Sequence, residues 1–82
     1  MVTVERIGGL RVVIYPNDHR PAHVHVIGKG YEAVFRLNCP KGPPALRENY
    51  GFPATELARI KATLVEKTAL FCAEWRRIHG LP

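Results

Sequence analysis

Ala22-His23-Val24-His25-Val26-Ile27-Gly28-Lys29-Gly30-Tyr31-Glu32-Ala33-Val34-Phe35-Arg36-Leu37-Asn38 is two runs of alternating side chains around a glycine-bracketed turn. Residues 22–27 read as a strand, Gly28-Lys29-Gly30 as its turn and residues 31–38 as the returning strand. In the second run Tyr31, Ala33, Phe35 and Leu37 share one face, and Glu32, Val34 and Arg36 share the other, as the period of two in a strand requires. The same period extends upstream. Val2, Val4 and Ile7 lead to the turn Gly8-Gly9, and Leu10 to Tyr15 resume a strand with Leu10, Val12 and Ile14 on one side. Pro16-Asn17-Asp18 breaks that strand, because each of these residues favours a turn for its own backbone reason. Downstream, Pro40-Lys41-Gly42-Pro43-Pro44 is a stiff loop, and Ala45-Leu46-Arg47 reads as a short edge strand.

From Phe52 the period lengthens to about 3.6. Pro53 suits the first turn of a helix, where its missing N–H has no partner to lose. Leu57, Ile60, Leu64, Phe71, Trp75 and Ile78 then recur at helical spacing, Thr68 fills the gap, and Gly80 ends the run. The Phe71/Trp75 stripe is the face expected to pack on the sheet, with a partner surface as the lesser reading. Glu56 with Arg59 and Glu74 with Arg77 form i,i+3 pairs. The expected fold class is α+β: a four- to five-stranded antiparallel sheet with one long C-terminal helix packed on it. It makes a single domain over 1–82, strand-rich in 1–50 and helical over about 53–79.

A chain of 82 residues builds one compact core and excludes the large enzyme barrels. Twelve Lys and Arg against seven Asp and Glu leave a net charge of +5, shared between both halves without a basic tail. Such a surplus draws acidic partners, whether nucleic acid, anionic lipid or an acidic protein, and the partner expected here is RNA or a small acidic protein. No apolar run approaches a membrane span, and residues 1–6 lack a signal-peptide stretch, so no membrane association and a cytoplasmic location are expected. Cys39 and Cys72 form no CxxC pattern and are read as buried apolar thiols, not a disulfide.

Chemistry concentrates in Asn17-Asp18-His19-Arg20-Pro21-Ala22-His23-Val24-His25-Val26, which holds three of the four histidines. On a strand, His23 and His25 share a face; alternation favours their exposure, with Val24 and Val26 turned to the core. Three uses are open. The histidines serve structure only; or they exchange protons with a ribose hydroxyl and its leaving oxygen without a metal; or His19, His23 and His25 hold Zn with one position left for water. The acid–base reading makes His23, His25 and Arg20 the catalytic set. Arg11, Arg36, His19 and Asp18 then bind substrate, arginine being the natural phosphate holder, and no cofactor is needed. Asp18 orients a histidine in the Zn reading. Tyr15 and Tyr31 read as core-edge aromatics, and His79 as a helix-terminus residue. Neither glycine pair opens a helix as a phosphate-binding loop would, and HExxH, Ser-His-Asp order and zinc-ribbon spacing are absent.

Ile7-Gly8-Gly9-Leu10-Arg11, Tyr15, the Asn17–Val26 segment, Gly51-Phe52 with Glu56-Leu57, and Trp75 together resemble a small bacterial family, the domain of unknown function 4160 family. The similarity spans nearly the whole chain, and its core histidines fall on His19, His23 and His25. The resemblance implies one half of a two-gene bacterial module of suspected toxin–antitoxin type, with a second small protein as partner and RNA as the target of a toxin half. Two departures stand out: Pro53 replaces a usual Ser, weakening a helix N-cap, and Ala22 replaces a common second Pro. The expectation is a small basic protein that binds RNA or its partner, an endoribonuclease candidate. The rivals are a non-enzymatic, antitoxin-like binding module and a Zn-binding protein.

Overall fold

The structure is a computed structural model and describes residues 2–81, with the side chain of Val2 left aside. Five strands run in sequence: β1 (Val2–Ile7), β2 (Leu10–Ile14), β3 (His23–Gly28), β4 (Tyr31–Arg36) and β5 (Ala45–Tyr50). They form one antiparallel sheet in the order β1-β2-β3-β4-β5. Every strand therefore pairs with its sequence neighbour, as short turns between alternating runs dictate. The β3–β4 turn narrows to Lys29 and Gly30, both with positive φ, at 55° and 79°. The segment read as a short edge strand is six residues long and wholly exposed.

One face of this sheet carries the core. Leu10, Val12, Ile14, Val24, Val26, Ala33, Phe35 and Leu37 meet Ile60, Leu64, Phe71 and Trp75 of the helical region. These are the alternate positions that the sequence periodicity selects on the strands, and the 3.6-residue stripe on the helices. The opposite face is open, and its rows follow from the register. Thr3, Val13, His25, Val34 and Glu48 lie side by side across the strands, flanked by Arg11, Ile27, Glu32 and Tyr50. Val13 and Val34 are nonetheless buried, as apolar positions are when longer neighbours lay their stems over them.

The helical region corrects the expectation of one long helix. It consists of α1 (Ala54–Glu66) and α2 (Thr68–His79), separated at Lys67, whose φ and ψ of −116° and 19° are not helical. Neither proline nor glycine causes the break. The buried Thr68 hydroxyl donates to Leu64 O at 3.0 Å and Val65 O at 3.2 Å, while Lys67 N–H donates to Leu64 O at 3.1 Å. A threonine bonding back four residues bends a helix. Lys67 Nζ is also drawn to Glu5 of β1. Glu56, expected to pair with Arg59, instead reaches Lys29 in the β3–β4 turn at 3.0 Å. The Glu74–Arg77 pair forms as expected, at 2.7 Å.

A second correction concerns the cysteines. Cys39, in the β4–β5 loop, is bonded to Cys72 of α2, with their Cα atoms 5.8 Å apart and the two positions separated by 33 in sequence. The bond fastens the loop to the helix layer. The spacing along the chain carried no sign of it, because loop and helix meet only once the sheet is assembled. Disulfides persist in oxidising compartments, and a reducing cytosol would hold this pair as thiols. No helix among the described residues is long and apolar enough to cross a membrane.

Candidate functional site

Pro16-Asn17-Asp18 turns the chain after β2 so that Asp18 folds back on Tyr15. Asp18 N–H donates to Tyr15 O, and Tyr15 N–H donates to Asp18 Oδ2, both at 3.0 Å. This reciprocal pair fixes the carboxylate and is the kind of local side-chain bond for which aspartate is favoured in turns. Asp18 Oδ1 then faces the start of β3. It lies 3.4 Å from His23 Nε2, and the two Asp18 oxygens lie 3.4 and 3.3 Å from His25 Nε2. Asp18, His23 and His25 each bring one ligand-type atom into a space no wider than 4.8 Å.

The far sides of both imidazoles are occupied. His23 Nδ1–H donates to the Pro21 carbonyl at 2.9 Å, and His25 Nδ1–H donates to Glu32 Oε2 at 2.9 Å. A carbonyl or carboxylate oxygen only accepts, so the proton of each neutral ring sits on Nδ1 and leaves Nε2 with a lone pair. The rings lie edge to face, with centroids 5.2 Å apart, and Tyr15 packs against His25 at 4.7 Å. Burial raises the Tyr15 hydroxyl pKa above its ordinary value, helped by the charges of Glu32 and Asp18 and opposed by Arg11.

The expected exposure of the histidines is corrected. The side chain of His23 is 5% exposed and that of His25 13%. The β2–β3 ladder ends at the Val13–His25 pair, so β3 has no β2 neighbour at His23. There the Trp75 ring of α2 lies 5.2 Å from the His23 ring. Trp75 stacks in turn on His79 at 4.1 Å, and His79 Nε2–H donates to Tyr15 O at 3.0 Å. His79, read as a terminus residue, thus clamps the end of α2 to the turn that carries Asp18.

Of the remaining sequence-selected residues, His19 and Arg20 are exposed, and His19 is not among the clustered ligand atoms. Arg11 is half-buried on the open face, and exposed Arg36 ends β4 directly across from His23 in the β3–β4 register. There Arg36, Asn38, Ala45, Leu46 and Arg47 line a shallow groove along the β4–β5 edge. Arg36 makes no ion pair among the described residues, and Arg47 has only a 3.9 Å approach to Glu48. Sequence reasoning missed Arg47 as a binding candidate and Glu32 as a partner of His25. The register was the available signal for Glu32, since the pair Ile27–Glu32 adjoins the pair His25–Val34.

A family profile described as Domain of unknown function (DUF4160) matches residues 9–76, and the chain belongs to that family. No curated protein and no solved structure matches it.

Proposed function

From membership of a family whose description assigns no activity, we propose that this chain is an RNA-binding protein of a two-gene, toxin–antitoxin-like module. Its contact surface is the groove along β4 and β5. One observation carries the reading: Arg36 and Arg47 line a single groove without a strong acidic partner in a chain of net charge +5. Each phosphate neutralised by an arginine releases a counterion, so affinity falls with salt. Arginine also reaches phosphate oxygens with two parallel donors.

Binding is favoured over metal-free cleavage. His23 is enclosed by Trp75, Asp18 and His25, away from any reacting hydroxyl. His25 lies between Asp18 and Glu32, whose charges would repel an incoming phosphate. In a salt titration with a single-stranded RNA, the wild type should show a linear fall of log affinity with log salt. The Arg36→Gln/Arg47→Gln variant should lose affinity and flatten that slope by about 1.4, at roughly 0.7 per phosphate contact. An unchanged slope in the double variant would refute the groove as the binding surface.

A second reading has its own support. All six residues of β5 are exposed, and β5 ends the sheet, an edge able to accept a strand from a small partner protein. Co-purification with the product of a neighbouring gene measures this. The complex should be lost on Glu48→Pro, which blocks strand addition, and should survive Arg36→Gln.

A further inference from the structure

We propose that Asp18, His23 and His25 form a divalent transition-metal site, with His23 Nε2, His25 Nε2 and one Asp18 carboxylate oxygen as ligands and a fourth position open. The inference is independent of RNA binding and changes the ligand set expected from sequence, Asp18 taking the place of His19.

Three observations converge. First, the carboxylate oxygen stands at metal-ligand spacing from both imidazoles, and the three donors are close enough for one ion. Ligands bound to Zn at about 2.0–2.1 Å and tetrahedral angles lie about 3.3–3.4 Å from one another; Asp18 Oδ1 lies 3.4 Å from Nε2 of both His23 and His25, and all three ligand atoms lie within 4.8 Å of one another. Second, the outer contacts match those of metal-ligating histidines, whose other ring nitrogen donates to a carbonyl or a carboxylate. The Pro21 carbonyl does this for His23 and Glu32 for His25. Third, those outer bonds commit both neutral rings to Nδ1–H, so two Nε2 lone pairs point at a carboxylate. A cation between them, a metal ion or the second proton of an imidazolium, satisfies that arrangement.

Two imidazoles and one carboxylate suit zinc or another borderline first-row ion better than magnesium or calcium, which prefer oxygen donors. The site has the open character of three-ligand centres, in which water or a substrate oxygen completes the coordination. Asp18 and His25 are each more than a tenth exposed, which leaves a path to solvent. Trp75 is the sole tryptophan of the chain and lies against the His23 ring, so it is a built-in reporter.

The experiment uses full-length protein purified without a histidine tag, stripped with chelator, and titrated separately with Zn²⁺ and Co²⁺. One equivalent of Zn²⁺ should remain after dialysis. Co²⁺ should give the visible absorption of a low-symmetry, four-coordinate ion and quench Trp75 at the same stoichiometry. Asp18→Asn should weaken uptake at least a hundredfold. Glu32→Gln, on a part-exposed side chain, should weaken it 10- to 100-fold through the His25 ring. His19→Ala should bind as the wild type does. Circular dichroism on each variant confirms the fold; if Asp18→Asn does not fold, Glu32→Gln decides. No saturable equivalent of metal in the wild type would overturn the proposal. So would wild-type affinity in Glu32→Gln, or a loss in His19→Ala as large as in Glu32→Gln. None of these outcomes touches the Arg36/Arg47 measurement, so the two readings fail separately.

Discussion

At position 51 the backbone takes φ of +108°, and a Cβ placed there would lie 2.3 Å from Cδ1 of Tyr31. Glycine is therefore required twice, once by the dihedral and once by the ring packed on it. That ring is held edge-on against Phe52 at 5.3 Å, while the Asn49 side chain bonds both N–H and C=O of Phe52. Gly51-Phe52 thus sets the passage from β5 into α1. Gly51→Ala should cost about 2–3 kcal/mol, strain and displaced ring together. Gly30→Ala, with φ of +79° and open space around its Cβ position, should cost only about 1 kcal/mol from strain. Urea unfolding of both variants checks the difference, and equal losses would remove the packing part of the account. The candidate site was legible to a similar, partial degree. Alternation placed His23 and His25 on one face, but Asp18 joins them only through its bonds to Tyr15, and such a fold-back has no periodic signal. His23 is buried where the β2–β3 ladder has already ended, two residues back at His25, which alternation cannot show.

Among the elements, the strands were readable because alternating runs separated by short turns leave a meander as the simplest pairing. The helix break was not, because Thr68 keeps the apolar stripe in phase across it. What distinguishes Lys67 is a long-range contact: its ammonium meets Glu5, 62 residues away on β1. The Lys67 hydrogen bond is the largest influence holding the Glu5 carboxyl below its ordinary value of 4.5, ahead of the Arg6 backbone N–H. A carboxylate whose folded pKa is lowered contributes stability above the unfolded value and loses it as pH falls through the folded one. Glu5→Gln should therefore unfold at a lower temperature than the wild type at neutral pH, with the gap closing once pH drops below 4.5. Both side chains are partly open to solvent, so the gap should be small and shrink further in salt. A difference that persists unchanged at pH 2 would mean that Glu5 acts through packing rather than charge.

For the molecule as a whole, the core lies between one sheet face and two short helices, and the other face is left to the polar rows that hold His25 and Glu32. A domain of this length carries only about 4–12 kcal/mol of net stability, at about 0.05–0.15 kcal/mol per residue. The Cys39–Cys72 bond is large on that scale. Closing a loop of 33 residues removes unfolded-chain entropy worth about 3–4 kcal/mol. The loop it ties down begins where β4 ends and leads into β5, so the bond also steadies the groove formed by Arg36, Arg47 and their neighbours. Reduction should lower the unfolding free energy by about that amount and weaken any ligand of the groove, while leaving Asp18, His23 and His25 together. Cys39→Ser/Cys72→Ser should reproduce the loss and abolish the response to reductant. Paired denaturant titrations with and without dithiothreitol read this directly. An oxidised wild type with the same midpoint as the reduced protein would mean that the helices and the Trp75 contacts fasten the loop region without the bond.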